Sequence, residues 1–575
     1  MSERTSILER RFEPRWAVAE RPAPDLLEGI RQELKIPSVM AKILINRGIR
    51  DVEEARAFLY PSLDHLVDPF AMRDMGAAAE RIWRAIDEGQ PIGIHGDYDV
   101  DGVTGTALLV RSLRALGADV RFHIPNRLDE GYGISCSAID EDHRQGVRLM
   151  VSVDCGITAV SEAAYARRLG IDLIVTDHHE PGELPQAEAV VNPKRADCDY
   201  PFKDLPGVAI AFKLADAVYR YREVDRGPVY RDLDLVALGC AADIVPLVGE
   251  NRVLVTYGLE QMQHTENLGL QALLENVGLS DTHLGTGQLI FVLAPRINAV
   301  GRMGSAMAAV TLLITEDRDE AKQIAELLEH QNQKRRQIDE QTLQEALAMV
   351  ERDVDPDRDR GVVLASDHWH PGVIGIVASR IAEKVHLPTV LIAVDGAQGK
   401  GSGRSIPGFD LYAALSRCQP HLAAFGGHKY AAGLTVDRDQ IEPLREAFLK
   451  VAEETLRTEE MVPQLSIDDE ISLNQIDSRL VALLKQFAPF GPQNMRPVMV
   501  SRGVEVVGAP EIVGRNHIKF KARHKGRVLD CIGFDLGHLV YRLTPGEDNL
   551  DMAYVIEENR WRGRKTIQLR VKDLR

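Results

Sequence analysis

The chain has 575 residues, 45% hydrophobic and 27% charged, which is enough for roughly three or four globular domains. The net charge of −17, taken alone, disfavours a nucleic-acid partner, and no run of 18 apolar residues predicts a membrane span. Six scattered cysteines without a CxxC pair argue against a zinc site or a disulfide framework. Because the first residues are charged and lack an apolar signal core, we expect a cytoplasmic protein.

The first two segments of the chain differ in pattern. Residues 1–70 are predicted to form a helical and loop extension. From about residue 88 to 245, short apolar runs alternate with helical stretches, which is typical of a doubly wound, largely parallel sheet. The apolar runs are PIGI, VRFHI, RLMVSV, IDLIVT and AEAVV. We therefore place a first α/β domain at residues 71–314.

Three further segments follow. Residues 315–355 contain no Gly and no Pro, and they carry an apolar stripe that predicts one long connecting helix. Within residues 356–455, the run GVVLAS is followed by a helical stretch and the run TVLIAV, which indicates a second α/β domain. Residues 456–575 end in about five short strands, which favours a small barrel of the OB type. The predicted fold is thus two α/β domains joined by a long helix, with a C-terminal β-barrel.

The charge is unevenly distributed along the chain. Residues 501–575 hold 15 Lys and Arg against 10 Asp and Glu, a local balance of +5 within a chain of −17. The run KFKARHKGR at 519–527 alternates basic residues along a predicted strand. A basic C-terminal domain on an acidic body is compatible with binding to nucleic-acid phosphates through local patches, and equally with no such role.

Acidic and histidine motifs fall at the carboxyl ends of the predicted strands, where open α/β sheets bind ligands. HGDYDVDG follows PIGI, VDCG follows RLMVS, TDHHE follows IDLIV, and AADIVP follows a helical run. A single DxD is usually a cap or a solvated turn, and a lone HH pair is more often surface or core. Four motifs in one topological place favour a divalent-cation site, because so many carboxylates would otherwise repel one another.

These motifs resemble a known family. GDYDVDG, VDCG, DHH at 177–179 and AADIVP are similar to motifs of the DHH phosphoesterase superfamily, and FGGHKYAAG at 425–433 to the DHHA1 signature. With WHPGVIGIVASR, GSGRS and APRINAVGR, the set resembles the RecJ family of single-strand-specific 5′→3′ DNA exonucleases from about residue 30 onward. Val100 stands where the family usually has Ala, and AADIVP replaces the common TVADVVP while keeping Asp243.

The resemblance implies roles for individual residues. The implied metal ligands, with Asp154 as the bridge between two ions, are Asp99, Asp101, Asp154, His178 and Asp243. Asp97 either completes the site or orients a neighbour, and His95 occupies a position that is a ligand in related phosphoesterases. The implied catalytic residues are Asp154, Asp177 and His179, of which Asp177 would orient His178 and His179 would touch the scissile phosphate. The implied DNA-binding residues are Arg127, Arg296, Arg302, Ser402, Arg404, Gly427 and His428. Among them, Arg127, Ser402 and Arg404 are expected to hold a terminal 5′-phosphate, with Ser402 and Arg404 in a glycine-flanked loop of the DHHA1 domain.

The resemblance also implies an activity and partners. It predicts a Mn²⁺- or Mg²⁺-dependent monomer with two ions per site that degrades single-stranded DNA to 5′-mononucleotides in repair and recombination. Single-strand-binding protein and a RecQ-type helicase are implied partners. One alternative is a phosphoesterase acting on short oligonucleotides, cyclic dinucleotides or pyrophosphate, whose relatives lack the long helix and the barrel. Another is a non-catalytic replication or scaffold protein, which loss of the acidic ligands would mark.

Overall fold

A short strand and three helices precede the first sheet. They appear in the computed structural model, which describes residues 7–8, 13–126, 130–131, 133–303, 306–355, 358–561 and 564–575. Their bounds are β1 (Arg15–Val18), α1 (Pro24–Leu34), α2 (Ser38–Asn46) and α3 (Val52–Leu59). Asp51 caps α3, because its side chain accepts a hydrogen bond from the Glu54 N–H at 2.8 Å. The predicted extension is therefore mainly helical.

A five-stranded parallel sheet forms the first α/β domain. Its strands and helices are α4 (Met75–Asp87), β2 (Ile92–Gly96), α5 (Val100–Ala115), β3 (Val120–His123), α6 (Cys136–Arg144), β4 (Leu149–Val153), α7 (Val160–Arg168), β5 (Asp172–Thr176) and β6 (Ala189–Val191). The strand order is β3-β2-β4-β5-β6, with every neighbouring pair parallel. This order confirms the predicted doubly wound sheet and places its topological switch point between β2 and β4.

Helices complete the first α/β domain. They are α8 (Gly207–Tyr221), α9 (Gly227–Tyr230), α10 (Leu233–Ala242), α11 (Gly249–Met262), α12 (Leu268–Asn276), α13 (Thr286–Gln288), α14 (Ala294–Met303) and α15 (Met307–Ile314), with a π-helical turn at Leu289–Leu293. Both faces of the sheet are buried. In β4, Leu149 and Val151 pack into one apolar core with α4, α5 and α8, whereas Met150 packs into a second with α6 and α7. The alternation follows from the two-residue period of a strand.

The predicted long helix is α16 (Arg318–Asp353), which has 36 residues. At ~1.5 Å per residue it is roughly 54 Å long. It begins at residue 318 rather than 315, because the Asp317 carboxylate accepts the N–H groups of Asp319 and Glu320 at 2.8 and 3.2 Å. No helix in the described part of the chain, this one included, combines the length and hydrophobicity that crossing a bilayer requires.

The second α/β domain contains a mixed sheet. Its elements are β7 (Val362–Ser366), α17 (Ile374–Val385), β8 (Thr389–Asp395), β9 (Gln398–Arg404), α18 (Leu411–Arg417), β10 (Ala424–His428), β11 (Ala431–Asp437) and α19 (Ile441–Thr455). The strand order is β10-β11-β9-β8-β7. β7 and β8 are parallel, and the other neighbours are antiparallel. The predicted strand–helix–strand start is therefore followed by a meander of hairpins.

The C-terminal strands close into a barrel. The elements are β12 (Gln464–Ile467), β13 (Asp469–Glu470), α20 (Ser478–Leu484), β14 (Met499–Val513), β15 (His517–His524), β16 (Arg527–Gly533), β17 (Leu550–Trp561) and β18 (Arg564–Leu574). The order β14-β15-β16-β18-β17, with β17 pairing back to β14, closes a ring of five strands. The predicted OB-type barrel is confirmed.

By its contacts the chain divides into two compact units, Met1–Ala17 with His330–Ser466, and Val18–Glu329 with Ile467–Arg575. In the second unit, α1–α3 share one apolar core with the barrel. Arg252 on α11 ties this unit together, because its buried guanidinium donates to the carbonyls of Phe58, Gln486 and Phe487 at 2.7–2.9 Å. Burial lowers the pKa of Arg252 to about 10.

Candidate metal centre

Three neighbouring strands of the parallel sheet are each followed by an aspartate at the carboxyl edge of the sheet. Asp97, Asp154 and Asp177 directly follow the last residues of β2, β4 and β5. Their N–H groups extend the parallel hydrogen-bonding pattern beyond the strands: Asp97 donates to Val153 O at 3.2 Å, Asp154 to Thr176 O at 3.0 Å and Asp177 to Val191 O at 3.1 Å. The predicted convergence of the motifs at one sheet edge is thereby explained by strand pairing.

The DVDG loop is folded tightly onto the start of α5. Asp99 is the N-cap, and its Oδ1 accepts the N–H groups of Asp101 and Gly102 at 2.9 and 3.2 Å. A Cβ on Gly102 would lie 2.5 Å from the Asp97 carbonyl oxygen, so only glycine permits this approach. The spacing of the aspartates thus caps helix α5 and also brings the carboxylates together.

Helix α8 contacts the cluster with its N-terminus. The N–H groups of Gly207 and Val208 donate to the two carboxylate oxygens of Asp101 at 2.6 and 2.8 Å. A Cβ on Gly207 would lie 2.5 Å from the Cβ of Asp154, whose backbone is left-handed at φ 62°. Gly207 lies outside the motifs that the sequence pattern indicates. A glycine placed between a proline and an apolar helix is the local signal of such a close approach.

Carboxylate oxygens and imidazole nitrogens converge in three groups. Within each group the potential ligand atoms lie within 4.8 Å of one another, and the groups are Asp97–Asp99–Asp154, Asp101–His178–Asp243 and Asp154–His178–His179. His178 Nε2 lies 3.0 Å from Asp154 Oδ1 and 3.8 Å from both Asp101 Oδ2 and Asp243 Oδ2. An oxygen-rich set with imidazole fits Mn²⁺ or Mg²⁺, and Asp154, shared between groups, is placed to bridge two ions.

The electrostatics of the cluster also favour a bound cation. Burial, followed by repulsion from Asp101 and other carboxylates, raises the pKa of Asp154 well above its ordinary value, and the pKa of Asp243 is raised similarly. Burial and Asp99 raise the pKa of Asp101 to about 7. Burial, with help from neighbouring charges, lowers the pKa of His178 to about 3, so its imidazole stays neutral, as a metal ligand must be.

Asp177 and His179 form a pair beside the ligands. Asp177 Oδ1 accepts from His179 Nδ1 at 2.7 Å and from the N–H groups of His178 and His179, while Oδ2 accepts the Ile157 N–H at 2.9 Å. Burial works against a charge on His179, but the bond to Asp177 and the charges of Asp177, Asp97 and Asp101 together outweigh it and raise the pKa of His179. Asp177 was predicted to orient His178, and its side chain instead bonds the ring of His179.

His95 has a different neighbour. Its Nε2 lies 2.7 Å from Asp142 Oδ2, and both side chains are buried on β2 and α6. None of the three ligand groups found among the described residues includes His95. Asp142 was not identified from the sequence, because the pairing joins positions 47 residues apart without any local pattern.

Residues of the APRINAVGR motif other than its arginines contact the loop that carries the DVDG motif. Asn298 Oδ1 accepts the Val100 N–H at 3.1 Å, and a Cβ on Gly301 would lie 2.8 Å from the Tyr98 carbonyl oxygen. Arg296 is buried and its Nε lies 2.6 Å from Glu329 Oε2, whereas Arg302 is half-buried on α14. Arg296 is therefore committed to an internal ion pair, and the role of both arginines in binding DNA stays a prediction.

The remaining predicted residues lie in the second α/β domain. Ser402 and Arg404 are in strand β9, not in the predicted loop, because GKGSGR pairs with strands on both sides. Arg404 pairs with Ala431, which pairs in turn with His428 of β10, so Arg404 and His428 lie on one face of the sheet. Arg404 Nη1 donates to Ser402 Oγ at 3.0 Å.

Glycines make this face open. Gly426 and Gly433 occupy the row beside Ser402, and a Cβ on either would meet nothing within 4 Å. Gly427, on the opposite face, has φ 141° and no room for a Cβ against Ala431 O. A flat row of glycines between Ser402, Arg404 and His428 lets a phosphate approach the backbone closely. Arg127, the third residue predicted at the 5′-phosphate, lies outside the described residues.

Three family models match the chain in the order that the sequence predicts. The model of the DHH family, N-terminal domain, matches residues 91–240, and that of the DHHA1 domain matches residues 359–458. The model of the RecJ OB domain matches residues 467–573, which contain the closed barrel. Together these matches cover more than half of the chain.

Whole-chain relatives agree with these matches. The single-stranded-DNA-specific exonuclease RecJ of Bacillus subtilis (strain 168) is 38% identical over 97% of this chain and 70% of its own length. Its namesake in Escherichia coli (strain K12) is 33% identical over 94% of this chain and 96% of its own length. A crystal structure of RecJ from Thermus thermophilus in complex with Mn²⁺ matches with a TM-score of 0.84 and 31% identity, over 98% of this chain and 79% of that one. The chain belongs to the RecJ family of single-stranded-DNA-specific exonucleases.

Proposed function

We propose that this chain is a divalent-metal-dependent exonuclease that degrades single-stranded DNA from the 5′ end to 5′-mononucleotides, in DNA repair and recombination. The observation that carries the proposal is the buried carboxylate–imidazole cluster at the switch point of the first sheet. Loss of the acidic ligands would favour the non-catalytic alternative, and every predicted aspartate ligand is present in the cluster. The barrel and the 36-residue helix set the chain apart from the small-substrate phosphoesterases.

Mn²⁺ or Mg²⁺ fits the ligand set. The T. thermophilus relative was crystallised with Mn²⁺ and, in a second structure, with Mg²⁺. Asp97, Asp99 and Asp154 would hold one ion, and Asp101, His178 and Asp243 the other. Such a pair of ions supplies an activated water and stabilises the attacking and leaving oxygens of a phosphodiester.

The protein's own groups complete the chemistry. His179 donates a hydrogen bond from Nδ1 to Asp177, which fixes its ring and holds a proton on that nitrogen. His179, whose ring is held by Asp177, is placed to contact the scissile phosphate and to stabilise the charge that develops there. Asp177 acts through His179 and is a positioning residue.

The 5′ polarity requires a site for the end of the strand. The cation of Arg404, the hydroxyl of Ser402 and the open glycine row of β10 and β11 form an anion-binding surface in the second α/β domain. A terminal phosphate carries about one more negative charge than an internal phosphodiester, so such a surface favours the chain end. Arg127 is proposed to assist it.

End-labelled oligonucleotides test the proposed function. A 5′-labelled single strand incubated with Mn²⁺ should release labelled mononucleotide at once, whereas a 3′-labelled strand should shorten progressively. Release of labelled mononucleotide from the 3′-labelled strand at once would reverse the polarity. Stable single strands of both kinds, with rapid hydrolysis of a cyclic dinucleotide, would support the small-substrate alternative instead.

The family resemblance also suggests protein partners. Single-strand-binding protein and a RecQ-type helicase are proposed to deliver single-stranded DNA to this chain. Sedimentation of the purified chain with and without each partner tests the proposal and reports at the same time whether the chain alone is monomeric, as proposed.

A further inference from the structure

The fifth strand of the parallel sheet also ends at the metal centre. After β6, Asn192, Pro193 and Lys194 follow at the same carboxyl edge as the ligand motifs. Asn192 is fully buried, and its side chain bridges two segments: Nδ2 donates to the His179 carbonyl at 2.9 Å, and Oδ1 accepts the Lys194 N–H at 2.8 Å. A buried amide therefore fixes the backbone of Lys194 beside the DHH motif.

The ammonium of Lys194 lies beside the ligands. Its Nζ is 3.1 Å from Oε1 of Glu180, the residue that directly follows His179. The Lys194 side chain is 24% exposed, whereas that of Glu180 is 84% exposed. Burial, followed by repulsion from Asp101 and Asp99, raises the pKa of Asp243, and the charge of Lys194 acts in the opposite direction. The ammonium is thus partly exposed and pairs with the residue that directly follows the DHH motif.

The ion pair with Glu180 is weak enough to be exchanged. A pair between a lysine and a carboxylate that is this exposed contributes little to stability, because water and salt screen it. A phosphate oxygen of a bound strand offers a charge-assisted hydrogen bond in a less hydrated place, and lysine binds phosphate as a mobile point charge. Exchange of the exposed carboxylate for a phosphate is therefore favourable once a strand occupies the site.

We propose that Lys194 binds a backbone phosphate of the single strand at the metal centre, and that Glu180 holds the lysine side chain when no strand is bound. The inference rests on the proposed exonuclease function. Lys194 would add a cation to a centre whose other residues are acidic or imidazole. The buried Asn192, through its two hydrogen bonds, would position that cation relative to His179.

Two substitutions separate binding of phosphate from a surface ion pair. Lys194→Met removes the charge and keeps most of the stem, so kcat/KM on a 5′-phosphorylated single strand with saturating Mn²⁺ should fall about 10- to 100-fold, as expected for one charged hydrogen bond. Glu180→Gln frees the lysine and should lower KM by about 2- to 5-fold, because the competing carboxylate is gone. Lys194→Arg should recover most of the lost activity.

The salt dependence gives a second, independent readout. The slope of log(kcat/KM) against log salt concentration should become shallower by about 0.7 in Lys194→Met, the value for one phosphate contact to a single strand. Lys450→Met, an exposed lysine on α19, should leave both rate and slope unchanged.

The outcomes are distinguishable. Equal loss in Lys194→Met and Glu180→Gln would mean that the ion pair merely holds the DHH segment, and would overturn the inference. So would a Lys194→Met variant with the rate and salt slope of the unsubstituted chain. If the unsubstituted chain itself does not degrade single-stranded DNA, the proposed function has failed, and Lys194 is not the cause.

Discussion

At the scale of single residues, the ionised Asp154 lowers the stability of the metal-free chain. Its carboxylate is buried among other carboxylates, and its backbone is left-handed at φ 62°. Asparagine has nearly the same shape and tolerates left-handed backbone. Asp154→Asn should therefore raise the thermal stability of the metal-free chain, and should lower single-strand hydrolysis at least ~1000-fold because a bridging ligand is lost. Thermal unfolding in EDTA and end-labelled assays with Mn²⁺ measure the two effects.

A matched control is available for this prediction. Asp199→Asn, at an exposed position of the same domain, should change neither stability nor activity. Hydrolysis by Asp154→Asn within about tenfold of the unsubstituted chain, at saturating Mn²⁺, would show that Asp154 is not a bridging ligand.

Also at this scale, Arg404 tests the site for the terminal phosphate. Arg404→Ala should slow digestion of 5′-phosphorylated strands about 10- to 150-fold and that of 5′-hydroxyl strands much less, since a charged contact to the terminal phosphate contributes ~1.5–3 kcal/mol. Lys400→Ala is the control, because Lys400 lies on the same strand and face as Ser402 and Arg404. Equal losses on both kinds of end would assign Arg404 to the general DNA path.

At the scale of elements, helix α10 carries a buried acid, Asp234, in its first turn, at the opposite end of the helix from Asp243. Asp234 accepts the Leu235 N–H at 2.7 Å and the Thr265 hydroxyl at 2.5 Å. Burial raises the pKa of Asp234 to about 7, and the charge of Asp232 acts in the same direction. Because the folded pKa exceeds the unfolded one, the stability that this carboxyl contributes is present below about pH 4 and is lost as the pH rises through about 7.

Asp234→Asn should therefore stabilise the chain relative to the unsubstituted protein at pH 8, on the order of 1–4 kcal/mol, and by less at pH 5. The amide keeps both hydrogen bonds, with its oxygen accepting from Leu235 and its nitrogen donating to Thr265. Urea unfolding in EDTA at the two pH values measures the difference. An advantage that grows toward pH 5 would contradict the sign of the shift, and the exposed Asp281→Asn should show no pH-dependent difference.

The elements also show what the sequence can predict. The strands of the parallel sheet are short, largely apolar runs with clear boundaries, and Asp97, Asp154 and Asp177 directly follow strand ends, so local pattern locates them. The pairs His95–Asp142 and Asn298–Val100 join distant segments, and no local pattern marks them. Ser402 and Arg404 were predicted in a loop because GKGSGR is rich in glycine, yet pairing with two strands makes the segment a strand.

At the scale of the whole molecule, the local excess of positive charge in residues 501–575 of an acidic chain predicts that the barrel binds single-stranded DNA. On β15, Lys519 and Lys521 are exposed while Phe520 and Ala522 are buried, so the lysines line one outer face. Lys519→Gln with Lys521→Gln should weaken binding of long single strands and make its salt dependence shallower by about 1.4, which corresponds to two phosphate contacts. Anisotropy of labelled oligonucleotides across a salt series measures both.

Substitution is the appropriate test because the barrel cannot simply be deleted. A chain that ends near residue 455 would lose the partners of Ile30, Met40 and Leu44, which are buried in one core with the barrel. The paired variant Lys384→Gln with Lys450→Gln, at exposed positions elsewhere, controls for net charge. Unchanged affinity and salt slope in Lys519→Gln with Lys521→Gln would remove this face of the barrel from the DNA path.

The shared core of α1–α3 and the barrel also determines when these helices can fold during synthesis on the ribosome. The apolar faces of these helices are covered by residues that begin at Ile471. At ~5–20 residues per second, the roughly 400 intervening residues take roughly 20–80 s to emerge. During this time the first helices of the nascent chain present uncovered apolar side chains, while the parallel sheet behind them can already assemble. Helices α1–α3 are therefore expected to be among the last parts to fold, and chaperones that bind exposed apolar segments can bind these helices for longer than the segments that fold first.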